Sequence, residues 1–151
     1  MATLETDTLA ELIGAKRECL RQIRDLGRRQ FELIDADEMT ALLDLLALKQ
    51  RSLLRLQQIE RALDPFRNQD AGQRRWRSTE ARQACAEQLS QCEALLQEIV
   101  TQEKRSESTL RRRRDEAAAR LQGLHAADAA RGAYAAQSAA DFSQLDLLSD
   151  T

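Results

Sequence analysis

The sequence is poor in the residues that form turns, metal sites and aromatic cores. Its 151 residues include one proline, five glycines, one histidine and 3% aromatic residues. So few turn-forming residues argue against a β-sandwich or barrel, and the glycines form no phosphate-binding loop. No histidine and cysteine cluster has the spacing of a metal site. The composition instead favours long helices, because 32% of the residues are charged and 42% are hydrophobic.

Charge and targeting signals are also weak. The 23 basic and 25 acidic residues leave a net charge of −2, which gives no overall attraction to nucleic acid or to an anionic membrane. We find no apolar run of membrane-spanning length and no secretory signal at Met1–Glu5, so we expect a cytoplasmic protein. The three cysteines Cys19, Cys85 and Cys92 lie at helical core positions, and we expect reduced, buried thiols.

The hydrophobic spacing predicts an all-α fold with a helical hairpin and a long third helix. The first helix, about 8–34, is expected to begin at a capping box formed by Thr8 and Glu11. Asp35 is expected to cap the second helix, about 36–63, after a tight reversal at 35–38, although one unbroken helix remains an alternative. Together the three helices would form an antiparallel three-helix bundle or coiled coil.

Pro65 and Ser78 delimit the linker before the third helix. Pro65 is expected to end the second helix, because a residue before proline avoids the α conformation. Ser78 offers a cap for the third helix, about 79–124. We therefore predict a helical domain at 1–124 and a flexible acidic tail at 125–151, which holds four aspartates and one arginine.

Leucine occupies five of the seven positions from Leu42 to Leu48. On a helix these side chains spread over more than half of the circumference, so they need cover from at least two directions. If Leu46 and Leu53 are fully buried, replacing either by alanine should cost about 2–5 kcal/mol. A small cost would indicate a face that is open for a partner.

The third helix is longer than its continuous apolar face, which ends at Val100. A weaker stripe resumes at Leu110, Ala117, Leu121 and Leu124, and we predict that these four residues bind a partner helix. Tyr134, the fifth predicted partner-binding residue, is assigned to a mobile tail that docks elsewhere. A solvated helix end without a partner is the alternative.

Catalytic and cofactor-binding patterns are missing, so we expect neither an enzyme nor a cofactor. Arg111–Arg114 point in four directions on a helix and do not form one phosphate-binding face. Trp76, among the arginines of the linker, either stacks on a base or pins the linker, and we favour pinning. Lys16 and Lys49 lie on or near the apolar seams. Extension of the ammonium group into water is the simplest interpretation, which we favour for Lys16 and leave open for Lys49.

The segment from Glu32 to Leu56 resembles the FlgN family of flagellar export chaperones. The matching positions are Asp37, Leu42, Lys49, Leu53 and Leu54, and the segment from Leu110 to Tyr134 is similar to the polar C-terminal helix of that family. The resemblance implies a chaperone that binds the C-terminal helices of hook-associated proteins, at the hook–filament junction, and delivers them to the export gate.

Two other functions remain open from the sequence. The chain could be a structural coiled-coil protein that self-associates to cover its apolar stripes, which would make it a homo-oligomer. Less favoured is a nucleic-acid binder that works through the arginine clusters.

Overall fold

The structure, a computed structural model, describes residues 2–149, with side chains to residue 141. It contains the helices α1 (Glu5–Asp35), α2 (Met39–Arg67) and α3 (Thr79–Ser149), with a short 3-10 turn at Ala71–Gln73. This part of the chain has no β-strand, which confirms the all-α prediction. None of its helices is long and apolar enough to cross a membrane.

Helix α1 begins at Glu5, three residues before the predicted start at Thr8. The backbone amide of Leu4 donates to the Asp7 carboxylate at 2.9 Å, so Asp7 takes the role that was expected of Glu11. Thr6 is buried, and its hydroxyl donates to the Arg75 carbonyl at 2.6 Å. This contact with the linker, which the sequence pattern does not reveal, extends the helix toward its N-terminus.

The chain reverses between α1 and α2, so the alternative of one unbroken helix is wrong. Asp37 has a φ of 58°, in the left-handed region. The amide of Asp37 donates to the Ile34 carbonyl at 3.1 Å and that of Glu38 to the Leu33 carbonyl at 3.0 Å, which is the hydrogen-bond pattern of a Schellman motif. Asp35 is the last residue of α1 rather than the cap of α2, and Glu38 holds the N-cap position.

Helix α2 continues through Pro65 to Arg67, so the predicted end at residue 63 is wrong. Pro65 has no amide to donate to the Arg61 carbonyl, so the last turn of α2 has one backbone hydrogen bond fewer than a regular helix. The Arg67 guanidinium donates to the Glu60 carbonyl and also pairs with the Glu60 carboxylate. Phe66 packs against the core and holds this last turn in place.

Helix α3 begins as predicted, because the Ser78 hydroxyl accepts a hydrogen bond of 3.0 Å from the Ala81 amide. It extends to Ser149 rather than ending near residue 124. The alanine-rich sequence after residue 125 favours a helix strongly enough to outweigh Gly132. The predicted mobility of this segment stays a prediction, and Asp150 and Thr151 lie outside the described residues.

The contacts divide the chain into two units, residues 1–108 and 109–151. Within the first unit all three helices contribute to a shared core. One end of α1 packs on the end of α2 and the start of α3, and its other end packs on the start of α2. Helices α1 and α2 therefore run in opposite directions. The fully buried members of this core include Cys19, Leu20, Ile23, Ile34 and Cys92.

The three cysteines are free and buried, as predicted. The Cys19 thiol donates to the Ser52 carbonyl at 3.2 Å. Burial raises the pKa of Cys19, Cys85 and Cys92. They act as small apolar side chains where α1 packs against α2 and α3.

Candidate partner-binding groove

The leucine-rich segment of α2 is only partly covered. Leu42 and Leu45 are each 5% exposed and pack on α1. In contrast, Leu43 is 69% exposed, Leu46 is 38% exposed and Leu48 is 51% exposed. The expectation of cover from two directions is therefore not met within the chain, because α1 covers one side of the segment and the rest stays open.

The open side of α2 carries a regular apolar seam. Its members follow a spacing of four and three residues, which places them on one helix face in the pattern of a coiled-coil seam. We call it the leucine stripe, and it consists of Met39, Leu43, Leu46, Gln50 and Leu53. Leu53 is 37% exposed, so the condition of full burial for Leu46 and Leu53, on which the cost of 2–5 kcal/mol depended, is not met. Leu48 lies about 180° around the helix from Met39 and is not part of the stripe.

A cavity of about 420 Å³ lies beside the leucine stripe, between α2 and α3. Ile23 of α1 lines it together with four residues of α2 and two of α3. We call it the α2–α3 groove, and its lining residues are Ile23, Leu46, Lys49, Gln50, Leu53, Ile99 and Glu103. The exposed Leu96 and Val100 lie on the same face of α3 as Glu103 and widen its apolar surface.

Lys49 is a buried cation at the base of this groove. Its ammonium group donates to the Gln30 side-chain oxygen at 2.8 Å and forms an ion pair with the Glu103 carboxylate. Lys49 is 6% exposed and Gln30 is 5% exposed. Burial lowers the pKa of Lys49. Lys49 therefore does not extend into water, because acceptors on α1 and α3 hold its ammonium group inside.

Lys16 also departs from the sequence expectation. Its ammonium group pairs with Glu60 of α2 at 2.8 Å, and its side chain is 13% exposed. The sequence pattern could not reveal this acceptor, because periodicity identifies the buried face of a helix but not the residues of the neighbouring helix that contact it.

The predicted C-terminal stripe lies on α3, in the second unit. Leu110 is 37% exposed, Leu121 is 57% exposed and Leu124 is 59% exposed, and Ala117 is exposed as well. Their spacing of seven, four and three residues brings the four onto one face of the helix. Tyr134, 76% exposed, lies ten residues beyond Leu124 and falls on another side.

Arginines of the linker and of α3 contact other residues of the same chain. Trp76 packs against the core of the first unit, in agreement with the pinning interpretation. Arg77 pairs with Asp7 at 2.8 Å, and its hydrogen bond holds the pKa of the Asp7 carboxyl below its usual value. On α3, Arg112 and Arg114 have acidic neighbours on the same helix, Glu116 at 4.0 Å and Asp115 at 3.3 Å. Both clusters therefore make intramolecular contacts.

Sequence reasoning placed the binding site in the C-terminal stripe, with the leucine-rich segment of the second helix as the alternative, and it gave no indication of the α2–α3 groove. The spacing of the leucine stripe was present in the sequence, but the neighbouring leucines on the buried side of α2 obscured it. The groove residues from α1 and α3, Ile23, Ile99 and Glu103, are brought together only by the fold and have no local signature.

The groove has the apolar surface that can bind a helix. Apolar side chains line the groove, and Lys49, Gln50 and Glu103 are its polar residues. In the part of the chain that the structure describes, no group of three or more histidine, cysteine or acidic residues is placed to hold a metal ion. No family model, no curated protein and no solved structure matches this chain.

Proposed function

We propose that this protein is a cytoplasmic export chaperone of the FlgN-like type, which binds C-terminal helices of hook-associated proteins and delivers them to the flagellar export apparatus. The sequence resemblance supplies the identity of the partner. The single observation that supports helix binding is the leucine stripe, whose apolar side chains are exposed beside the α2–α3 groove. Such a surface fits an amphipathic helix.

A partner helix in this groove would complete an up-and-down bundle. Three helices of the first unit form two sides of the groove and its base, and a fourth helix would supply the missing side. Covering Leu43, Leu46 and Leu53 would contribute about 1–3 kcal/mol each, according to how much of each is exposed. The partner gains as much, because its own apolar face is removed from water.

The C-terminal stripe is proposed as a second contact. Leu110, Ala117, Leu121 and Leu124 lie on one exposed face of α3 and offer a narrower apolar surface than the groove. Tyr134 would contact the partner or the export apparatus separately. Two weak contacts on one chain raise the overall affinity, because the second forms within an existing complex.

Calorimetric titration of the full-length chain with a C-terminal helical fragment of a hook-associated protein tests the proposal. Replacing Leu46 and Leu53 together by lysine should weaken binding about 100-fold, because two cations would face an apolar helix. Leu48→Lys is the matched control on the opposite side of α2 and should leave the affinity unchanged. If the fragment fails to bind the wild-type chain, the proposed partner is wrong.

The same titration measures how much the C-terminal stripe contributes to binding. Leu121→Lys with Leu124→Lys should weaken binding about tenfold while the helix content by circular dichroism is kept. If these substitutions abolish binding and Leu46→Lys has no effect, the C-terminal stripe is the principal site.

Self-association is the second candidate function. The four-and-three spacing of the leucine stripe, with the polar Gln50 at one seam position, is also the pattern of a coiled-coil dimer. Sedimentation equilibrium distinguishes the two candidates, because a leucine stripe that is open for another protein should leave the chain monomeric, whereas self-association through the stripe should give a dimer. A dimer that Leu46→Lys dissociates would favour the structural coiled coil.

A further inference from the structure

The arginines between residues 109 and 124 are sorted around α3. The C-terminal stripe occupies an arc of only about 60° of the helix surface. By helical spacing, Arg113 and Arg120 lie along one border of this arc and Arg114 along the other, each within about 70° of its centre. The other charged residues of the segment lie at least about 110° from the centre, and they are Arg111, Arg112, Asp115 and Glu116. Both borders of the stripe are therefore basic.

The carboxylates of this segment neutralise the two borders only weakly. Arg114 contacts Asp115, its neighbour in the sequence, at 3.3 Å, and its side chain is 74% exposed. Such an exposed pair contributes little and leaves the guanidinium able to bind another carboxylate. Within the part of the chain that the structure describes, Arg120 forms neither a hydrogen bond nor an ion pair. Arginines at both borders thus present positive charge to whatever covers the stripe.

The positive charge extends along about four turns of α3. Residues 109–124 include five arginines and two acidic residues, which gives the segment a net charge of +3. Residues 125–141 include two aspartates and one arginine, and Asp128, which falls on the face of the stripe, pairs with Arg131. A partner that matches this surface therefore needs negative charge over about 16 residues, or about 24 Å of helix.

The narrow stripe indicates that the occupant is a helix rather than a lipid surface or a nucleic acid. A helix that lies on a membrane buries a wide apolar face, usually with aromatic residues, whereas here arginines border three leucines on both sides. Nucleic acid would bind the arginines but would leave the leucines exposed. A second helix covers a narrow stripe and can place carboxylates over both borders, at the flanking positions of a coiled coil.

We propose that the C-terminal stripe binds an amphipathic helix of a partner protein, with apolar residues at its seam and carboxylates on both of its flanks. This inference rests on the stripe as the second contact of the proposed function, and it adds the charge of the helix that binds there. Charge decides between helices of similar hydrophobicity, because a basic helix would meet arginines at both borders.

Synthetic helices test the charge of the partner. The probe is a labelled peptide of about three heptads, with leucine at the seam positions and glutamate at the flanking positions. Its matched control has lysine at the flanking positions. By fluorescence anisotropy with the full-length chain at low salt, the acidic peptide should bind about tenfold more tightly than the basic one. At about 0.5 M salt the difference should shrink, because the ion pairs are exposed.

Charge reversal on α3 locates the site. Arg114→Glu with Arg120→Glu should reverse the preference, so that the basic peptide binds more tightly. Arg111→Glu with Arg112→Glu is the matched control, because it makes the same change in net charge on other sides of the same segment. This control should keep the preference for the acidic peptide. Circular dichroism checks that both variants keep their helix content.

A variant of the α2–α3 groove provides a second control. Leu46→Lys with Leu53→Lys places two cations in the groove and should leave the acidic peptide bound at the C-terminal stripe. The preference for the acidic over the basic peptide should therefore stay about tenfold. Loss of the preference in this variant would place the selection in the groove and overturn the inference.

The outcomes separate this inference from the proposed function. Equal binding of the two peptides, or binding of neither, overturns the inference even if the fragment of the hook-associated protein binds. An unchanged preference after Arg114→Glu with Arg120→Glu overturns the placement of the site. Binding of phosphatidylglycerol vesicles or duplex DNA through Arg114 and Arg120, without a preference between the peptides, would replace the helix by another occupant. A fragment that fails to bind while the acidic preference remains overturns the proposed function alone.

Discussion

The Lys49 ammonium group on α2 donates a hydrogen bond of 2.8 Å to the Gln30 side chain on α1, directly beneath the leucine stripe. Both residues are buried, and Glu103 on α3 supplies the balancing charge. The polar cluster of Lys49, Gln30 and Glu103 thus links the three helices at the base of the α2–α3 groove. A buried cation depends on its acceptors, so this cluster fixes how the helices are aligned.

The Lys49–Gln30 pair should show strong coupling in a double-mutant cycle. Gln30→Leu alone leaves the Lys49 ammonium group without one acceptor and should lower the free energy of unfolding by about 1–3 kcal/mol. In a Lys49→Met background the same change should cost less, because no buried donor is left unpaired. Urea denaturation measures both costs. Equal costs in the two backgrounds would show that the hydrogen bond contributes little.

The stability of the folded chain should depend on Lys49 at alkaline pH. Burial holds the pKa of Lys49 in the folded state below its ordinary value of 10.5. Below the folded-state pKa both states carry the proton, and the cost of burying the cation is present in full. As the pH rises from the folded-state pKa to that of the unfolded chain, this cost disappears and the folded state gains stability.

Comparison with Lys49→Met isolates this effect, because the buried thiols titrate in both proteins. The difference in the free energy of unfolding, wild type minus variant, should increase as the pH rises toward 10.5. A difference that is constant or that decreases over this range would contradict the burial of a charged Lys49.

Neighbouring leucines of α2 should differ sharply in their contribution to stability. Leu42→Ala and Leu45→Ala remove side chains that are each 5% exposed, and each should cost about 2–5 kcal/mol. Leu43→Ala and Leu46→Ala, on the leucine stripe, should cost less than about 1.5 kcal/mol. Thermal or urea unfolding of the four variants measures this contrast. Costs above 2 kcal/mol for Leu43→Ala would mean that the stripe is covered, by the chain or by a second copy.

The three thiols should react slowly in the folded protein. Burial raises the pKa of Cys19, Cys85 and Cys92, and the thiolate is the reactive form. At pH 8 we expect reaction with Ellman's reagent to be about 100-fold slower in buffer than in urea, because reaction requires local opening. Fast reaction of any thiol in buffer would place that cysteine at the surface.

Local patterns predicted the class of the fold and several of its boundaries. Periodicity predicted the three helices, Asp35–Glu38 predicted the reversal, and Ser78 predicted the start of α3. These succeed because each depends on residues that are near one another in the sequence. The buried cysteines follow for the same reason, since they lie on the apolar faces of their own helices.

Several of the failures involve residues that are distant in sequence, whereas the extension of α3 past residue 124 depends on its own alanine-rich sequence. Thr6 and the linker extend α1, Phe66 holds α2 past Pro65, and Glu103 accepts the charge of Lys49. Composition also misled at the leucine-rich segment, because the number of leucines does not show that α1 covers only one side. The α2–α3 groove forms only when three helices pack side by side, so no local sequence pattern indicates it.

Mapping of backbone amides in solution tests the central claim most directly. A chain of 17.1 kDa is small enough for two-dimensional ¹H–¹⁵N spectra, recorded while an unlabelled C-terminal helix of a hook-associated protein is added. Binding in the α2–α3 groove should shift the amides around Leu46, Gln50 and Leu53 on α2 and around Ile99 on α3, with smaller shifts near Leu121. Shifts confined to residues 110–134, or none at saturating helix, would contradict it.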